Sequence, residues 1–204
     1  MTFMIGQPFP NITTQAVDEQ GNITENFNVH TYANGQHAIV FWYPLDFTFV
    51  CPTELVAFDQ AMGEFRNRNC KVVAASCDSA HCHAAWRRTA LNDGGIGEVS
   101  YPMIADVKRE LSTELGIISE GGVPFRAMYL LDGNGVVRHM LVNDLPLGRN
   151  VEEAIRMVDA LQFFEQHGEV CPANWKQGQS GMAPTRESTA SHLSSVGSNS
   201  VRAA

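Results

Sequence analysis

The stretch AIVFWY at residues 38–43, followed by PLDFTFVCPTEL at residues 44–55, decides the fold. Six consecutive apolar residues are typical of a central strand that is buried on both faces, and KVVAAS at residues 71–76 is a second such run. Between the two runs, apolar residues recur at helical spacing and give the segment one buried face. They are Leu55, Phe58, Met62 and Phe65. This order predicts a β-α-β unit.

A third strand is predicted at residues 125–132, FRAMYLLD. The DGNG turn at residues 132–135 joins this strand to VVRHMLV as a hairpin, so the sheet should be mixed. Asn150, with Glu153 three residues later, is the cap signal of a last amphipathic helix. Together these elements predict a thioredoxin-like α/β fold, with a central mixed β-sheet and helices on both faces.

The composition changes at the C-terminal end of the chain. From about Lys176 onwards Ser, Gly, Thr and Ala dominate and no apolar period is visible. Such a sequence buries too little apolar surface to hold a fixed helix. We therefore expect one domain at residues 1–175 and a flexible tail at residues 176–204.

Composition and charge exclude several classes of function. The 204 residues are 44% hydrophobic, and 14 basic against 22 acidic residues give a formal charge of −8. This charge opposes binding to nucleic acid or to an anionic membrane. The N-terminal MTFMIGQPFP is unlike a signal peptide, and no apolar run is long enough to cross a bilayer. A cytoplasmic protein is expected.

The five cysteines are an odd number in a chain without an export signal, which disfavours a permanent disulfide framework. Cys51 lies where a strand and a loop give way to a helix, and Pro52 suits the first helical turn. Helix N-terminal amides favour a thiolate at this place. The alternative is an inert cysteine in an apolar stretch.

A redox role for Cys51 would require a second thiol. Glu54 occupies the position that holds the second cysteine of a Cys-x-x-Cys site, so a local dithiol is excluded. The partner is then a distant cysteine or an external thiol. Cys171, in HGEVCPANW just beyond the last predicted helix, is the natural candidate, although an incidental surface cysteine is the alternative interpretation.

WYPLDFTFVCPTE at residues 42–54 resembles the FYPLDFTFVCPTE motif of the typical 2-Cys peroxiredoxins. The similarity continues at residues 57–86, 94–97, 142–153 and 167–178, and it extends to the peroxidase subunit of bacterial alkyl hydroperoxide reductases. It implies a thiol-dependent peroxidase that reduces hydrogen peroxide and organic hydroperoxides without a metal or another cofactor. It also implies a homodimer, often assembled into a decamer of five dimers, with thioredoxin or a flavoprotein disulfide reductase as electron donor.

The resemblance also implies a set of site residues. These are Pro44, Thr48, Cys51 and Arg126, with Glu54 and Arg149 in a supporting ion-pair network. Pro44 would shield the thiolate, and the Thr48 hydroxyl would hydrogen-bond the thiolate and the peroxide. Arg126 would hold the sulfur and the peroxide oxygens. From the residues alone, Arg126 could equally be a charge at the edge of a strand.

Peroxide cleavage itself requires groups of this kind. A sulfur attacks one oxygen while negative charge grows on the departing oxygen, so an arginine and a hydroxyl stabilise the transition state. The product is a sulfenic acid, which condenses with a nearby thiol to a disulfide. Cys171 would supply that thiol, from the partner subunit if the family pattern holds.

The sequence also contains residues that suggest other functions. Cys77, His81, Cys82 and His83 suggest a metal site by composition. Adjacent helical residues diverge by about 100° and cannot converge on one ion, so no metal is expected. A holdase chaperone or a peroxide-sensing redox relay is the alternative of a different class. A thiol-disulfide oxidoreductase without peroxide activity is opposed by Glu54.

Overall fold

The computed structural model describes the backbone of residues 2–200 and the side chains of residues 2–195. The strands are β1 (Thr13–Val17), β2 (Ile23–Asn28), β3 (His37–Trp42), β4 (Cys70–Ser76), β5 (Met103–Ala105), β6 (Arg126–Leu131) and β7 (Val137–Asn143). The α-helices are α1 (Val29–Ala33), α2 (Cys51–Gln60), α3 (Met62–Asn67), α4 (Ala80–Arg88), α5 (Glu110–Glu114), α6 (Val151–His167) and α7 (Arg186–Ser200). The chain divides into two compact units, Met1–Ile155 and Arg156–Ala204.

The strands form one seven-stranded mixed sheet in the first unit, in the order β2-β1-β5-β4-β3-β6-β7. The pairs β3–β4 and β4–β5 are parallel, and the other pairs are antiparallel. The predicted β-α-β unit is confirmed as β3, the helices α2 and α3, and β4. The predicted hairpin is confirmed as β6 and β7.

Alternate side chains of β3 enter two cores, as expected for a central strand. Val40 and Trp42 join a cluster that includes apolar residues of α1 and α5. On the opposite face, the Phe41 ring stacks on Phe58 of α2, with centroids 4.2 Å apart. Helices therefore cover both faces of the sheet, and the predicted thioredoxin-like fold is confirmed.

Three strands have no counterpart in the sequence analysis. β1 and β2 are short, and most of their residues are partly or fully exposed, so they carry no continuous apolar run. β5 is buried but only three residues long. Short strands of this kind are visible only through their pairing, which the sequence pattern does not contain.

The helix α7 contradicts the expectation that the C-terminal segment holds no helix. The Thr185 hydroxyl accepts a hydrogen bond from the backbone N–H of Ser188 and caps the first turn. No residue at positions 186–195 is buried, so this helix forms without the apolar period that the sequence analysis required. The predicted domain boundary after residue 175 stays a prediction. Among the residues that the structure describes, no helix is long and apolar enough to span a membrane.

Candidate active site

Cys51 is the first residue of α2 and is only 1% exposed. The helix begins here because Pro52 fits the first turn, where its missing N–H is not needed. The backbone N–H groups of Thr53 and Glu54 both donate to the Val50 carbonyl. The predicted start of the helix is confirmed, and the thiol lies at the end of α2 where the helix dipole is positive.

Arg126 lies beside this thiol. It is the first residue of β6, which pairs antiparallel with β3, and its Nη1 donates to Cys51 Sγ at 3.4 Å. Its Nε donates to the Leu145 carbonyl at 2.7 Å, which fixes the plane of the guanidinium. The side chain is 4% exposed, so Arg126 is a buried cation and not an exposed charge at the strand edge.

Glu54 joins two arginines next to the sulfur. Its Oε2 accepts from Arg126 Nη1 at 2.7 Å. Its Oε1 accepts from Nε of Arg149 at 2.7 Å and from the Arg149 backbone N–H at 2.9 Å. The three side chains carry two positive charges and one negative charge, and they are 0–4% exposed. This buried cluster therefore has a net charge of +1, which a thiolate at Cys51 would neutralise.

The position of Arg149 is fixed by the backbone of the sheet. Its Nη1 donates to the carbonyls of Trp42 and Ala127, each at 2.8 Å, at the adjoining ends of β3 and β6. Burial lowers the pKa of Arg149, and the charge of Glu54 opposes this shift. The guanidinium is thus a structural cation that holds Glu54 in place.

Pro44 and Thr48 lie in the loop before α2. The Pro44 carbonyl accepts a weak hydrogen bond from the Cys77 thiol at 3.6 Å. The Thr48 hydroxyl donates to the Leu45 carbonyl at 2.8 Å. A hydroxyl has one proton to donate. For Thr48 to donate to a thiolate or a peroxide, this hydroxyl must therefore rotate. The role of Thr48 as a donor and the role of Pro44 as a shield both stay predictions.

Cys171 belongs to the second unit and directly follows Val170, which pairs with Met182 in a short antiparallel bridge after the end of α6. It is partly exposed, and its thiol donates to the Ala160 carbonyl at 3.5 Å. Partial burial raises the pKa of Cys171, against an opposite effect of Arg156. All five cysteines are free in this structure, and the pairing of Cys51 with Cys171 stays a prediction.

The remaining cysteines lie in environments that disfavour the thiolate. Burial raises the pKa of Cys70 to about 12. Burial and the carboxylates of Asp46 and Asp78 raise the pKa of Cys82 to about 12 as well. Burial also raises the pKa of Cys77. None of these three thiols has a cation cluster like the one beside Cys51 among its hydrogen-bond partners in the described residues.

Potential metal ligands do lie near α4, but they differ from the set of two cysteines and two histidines that the sequence suggested. Ligand atoms of Asp46, Asp78 and Cys82 lie within 4.8 Å of one another. The Asp46 carboxylate already accepts from the Tyr43 hydroxyl at 2.7 Å and contacts His83 Nδ1 at 2.8 Å. Asp78 accepts from the backbone N–H of Asp46 at 2.8 Å. These carboxylates hold the loop before α2, a role that sequence reasoning missed.

Comparisons with known proteins agree with this geometry. Residues 5–140 match the AhpC/TSA family, and residues 160–194 match the C-terminal domain of 1-Cys peroxiredoxin. An alkyl hydroperoxide reductase C of Buchnera aphidicola is 43% identical over 194 residues, which cover 95% of this chain and 98% of that protein. A thioredoxin peroxidase of Echinococcus granulosus is 40% identical and covers 96% of this chain and 100% of that protein.

Solved structures give the same result. The reduced 2-Cys peroxiredoxin of Plasmodium vivax has a TM-score of 0.91 and 38% identity, covering 95% of this chain and 100% of that chain. The AhpC of Enterococcus faecalis has a TM-score of 0.76 and 34% identity, covering 84% of this chain and 100% of that chain. The chain therefore belongs to the AhpC/TSA family and is a peroxiredoxin of the 2-Cys type.

Proposed function

We propose that this protein reduces hydrogen peroxide and small organic hydroperoxides at Cys51, and that a disulfide with Cys171 returns Cys51 to the thiol. One observation carries the proposal. The Cys51 sulfur lies at the start of a helix, 3.4 Å from a guanidinium nitrogen that belongs to a buried cluster of net charge +1. The nucleophile that attacks peroxides is a thiolate, and this arrangement places a positive charge beside the sulfur that would carry it.

In the first step, the Cys51 thiolate attacks one peroxide oxygen and the O–O bond breaks. The sulfur loses two electrons and becomes a sulfenic acid, while the departing oxygen takes the electron pair and a proton and leaves as water or an alcohol. Negative charge on the departing oxygen is greatest in the transition state. The N–H groups of Arg126, held in place by Glu54 and the Leu145 carbonyl, are the donors that stabilise it.

In the second step, the Cys171 thiolate attacks the sulfenic sulfur of Cys51. A disulfide forms and hydroxide leaves as water after protonation. Two electrons from an external dithiol then reduce the disulfide. A protein related to this chain is named thioredoxin peroxidase, which supports thioredoxin as the donor, and a flavoprotein disulfide reductase is the second candidate.

The proposal includes an assembly and a location. We expect a homodimer in which Cys171 comes from the partner subunit, and a decamer of five dimers. The cytoplasm suits a cycle in which free thiols must be regenerated. The names of several relatives, alkyl hydroperoxide reductase C, support organic hydroperoxides as substrates beside hydrogen peroxide.

The test is peroxide consumption with a thioredoxin system and, in parallel, with a flavoprotein disulfide reductase. The wild type should turn over with at least one of them. Cys51→Ser should lose all turnover, and Cys171→Ser should consume about one equivalent of peroxide without turnover. Cys70→Ser is the matched control because that thiol is buried and has a raised pKa of about 12. Turnover by Cys51→Ser at the wild-type rate would remove Cys51 from the chemistry.

A further inference from the structure

The Arg149 side chain has one nitrogen that hydrogen bonding does not satisfy. Nε and Nη1 donate to Glu54 and to two backbone carbonyls, but the fully buried Nη2 has no hydrogen-bond partner among the described residues. A buried, charged N–H group without a partner is strongly unfavourable. The face of an aromatic ring is a group that can stabilise a guanidinium in such a place.

Phe41 provides that group. The Cζ atom of Arg149 lies over the Phe41 ring, 4.9 Å from its centroid. The face of an aromatic ring carries partial negative charge and attracts a guanidinium within about 6 Å, most strongly where water is excluded. Phe41 is 0% exposed and Arg149 is buried, so water does not weaken this attraction.

The Phe41 ring is itself held firmly. It stacks on Phe58 with an interplanar angle of 14°, and it packs edge-to-face with Tyr101, with ring centroids 5.9 Å apart. Phe58 in turn stacks on Phe65 at 6.0 Å. Because β3 and α2 both contribute to this stack, the ring is a rigid support for the cation above it.

We propose that Phe41 is a positioning residue for the peroxidase reaction. Its ring face holds Arg149, Arg149 holds Glu54, and Glu54 sets the guanidinium of Arg126 at the Cys51 sulfur. The inference rests on the proposed function, since it assigns Phe41 a part in the step at Cys51. Phe41 touches neither the sulfur nor the peroxide, and its effect passes through Arg149.

A purely structural role for Phe41, as an apolar residue of a buried strand, predicts something different. Packing depends on the volume of the ring, whereas attraction for a cation depends on the charge on its face. Successive fluorine atoms withdraw charge from the face and change the volume little. The two roles therefore separate in a series of fluorinated phenylalanines at position 41.

The experiment replaces Phe41 with mono-, di- and trifluorophenylalanine in the full-length protein. Oxidation of Cys51 by hydrogen peroxide is followed in a single turnover by rapid mixing, together with the melting temperature. The same series at Phe65, two rings further along the stack, is the control. We expect the rate constant to fall stepwise to about one tenth at position 41, the size of a desolvated cation–π contact, and to stay within about twofold at position 65.

A natural-residue pair provides a second comparison. Phe41→Leu and Phe65→Leu remove similar ring volume from the same core, and only the first should slow Cys51 oxidation beyond its effect on the melting temperature. Equal rates throughout the position 41 series, or equal losses at positions 41 and 65, would overturn the inference. If Cys51→Ser reacted with peroxide as fast as the wild type, the proposed function itself would be overturned. The two failures are therefore distinguishable.

Discussion

Cys51 and Cys171 lie in opposite electrostatic environments. Cys51 is almost fully buried, starts a helix, and receives a hydrogen bond from a cation cluster of net charge +1. Cys171 is partly exposed, its thiol donates to a single carbonyl, and burial raises its pKa. A positively charged cluster lies beside the Cys51 sulfur, whereas burial favours the neutral form of the Cys171 thiol.

This difference matches the order of the two proposed steps. The sulfur that meets peroxide has its charge-stabilising groups fixed in advance, so little reorganisation is needed during attack. The second sulfur stays a thiol until a sulfenic acid is available to it. A neutral thiol reacts slowly with peroxide, which protects Cys171 from oxidation before its turn.

The largest expected effect is at Arg126. Arg126→Met removes the donor to the Cys51 sulfur and should slow the reaction with peroxide by about a hundredfold, the size expected for one preorganised charged donor. Arg126→Lys should recover little of this because it lacks the planar fork. Single-turnover oxidation of Cys51 measures both.

The control for Arg126 is Arg138 in the adjacent strand β7. It pairs with Asp132 and is 46% exposed, so Arg138→Met removes an arginine of the same hairpin without touching the cluster. Its rate constant should equal that of the wild type. A near-normal rate in Arg126→Met would remove Arg126 from the mechanism and with it the electrostatic contrast between the two cysteines.

The next largest effect is expected at Glu54, where a substitution should lower both the stability of the fold and the rate of Cys51 oxidation. Glu54→Gln leaves two buried guanidinium groups without a carboxylate, which should lower the free energy of unfolding by about 3 kcal/mol. Cys51 oxidation should slow by about tenfold because Arg126 loses its orientation. Denaturant unfolding and rapid mixing measure the two quantities.

The matched control is Glu64→Gln in α3, which breaks an ion pair between the exposed Glu64 and the partly buried Arg68 at the surface. Exposed helix pairs of this spacing contribute only about 0.3–0.5 kcal/mol, so this variant should resemble the wild type in both assays. Equal losses of stability in the two variants would contradict the buried network as the source of order at the site.

The pH dependence separates the two steps. Because burial raises the pKa of Cys171, neutral solution contains mainly its thiol, and the attacking thiolate increases about tenfold per pH unit until that pKa is reached. Disulfide formation should therefore accelerate from pH 6 to about pH 8. Rapid quenching after a pulse of peroxide, with mass spectrometry of sulfenic acid and disulfide, measures the step. A rate that falls with rising pH would contradict the assignment.

The smallest expected effect concerns inactivation by excess peroxide. Family members that are readily inactivated resemble one another in combining a GGLG-like loop with a C-terminal Tyr-Phe pair. Gly94-Gly95-Ile96-Gly97 matches the loop, and a Cβ atom at Gly95 would lie 2.0 Å from the Thr89 carbonyl oxygen. After Trp175, however, the chain contains no aromatic residue. We therefore expect resistance to overoxidation.

The check is the dose of peroxide at which the sulfinic form of Cys51 accumulates during turnover. It should exceed the dose for a family member that carries the Tyr-Phe pair. The helix α7 does not alter this expectation, because none of the residues at positions 186–195 is buried and little apolar surface holds it. Accumulation of the sulfinic form at matched doses would contradict it.

Much of the fold was predictable from continuous apolar runs. Buried apolar runs indicate the strands β3, β4 and β6, and the DGNG turn indicates β7. Pro52 indicates the helix that starts at Cys51. The short strands β1, β2 and β5 were not predictable, because short strands take their stability from pairing with distant segments. The helix α7 was missed because none of its residues at positions 186–195 is buried, so that part of the helix has no apolar period.

The site was predictable to a different extent. Residue patterns alone identified Cys51 but left Arg126 undecided, because burial of a charge beside a sulfur depends on how β6 pairs with β3. The resemblance to a family implied roles for Arg126, Glu54 and Arg149; the structure places the three side chains in one buried cluster, and their roles stay predictions. The contact between Phe41 and Arg149 could not be foreseen, since an apolar strand residue that supports a cation looks the same in sequence as one that only packs.

We expect Cys51 to be oxidised first and to be resolved by Cys171 of another subunit. The most direct test treats the reduced protein with one equivalent of hydrogen peroxide, runs it on a non-reducing denaturing gel, and maps the disulfide by mass spectrometry. We expect a dimer-sized band that contains a Cys51–Cys171 peptide and is absent in Cys171→Ser. A monomeric oxidised band, or a bridge from Cys51 to Cys70, Cys77 or Cys82, would contradict it.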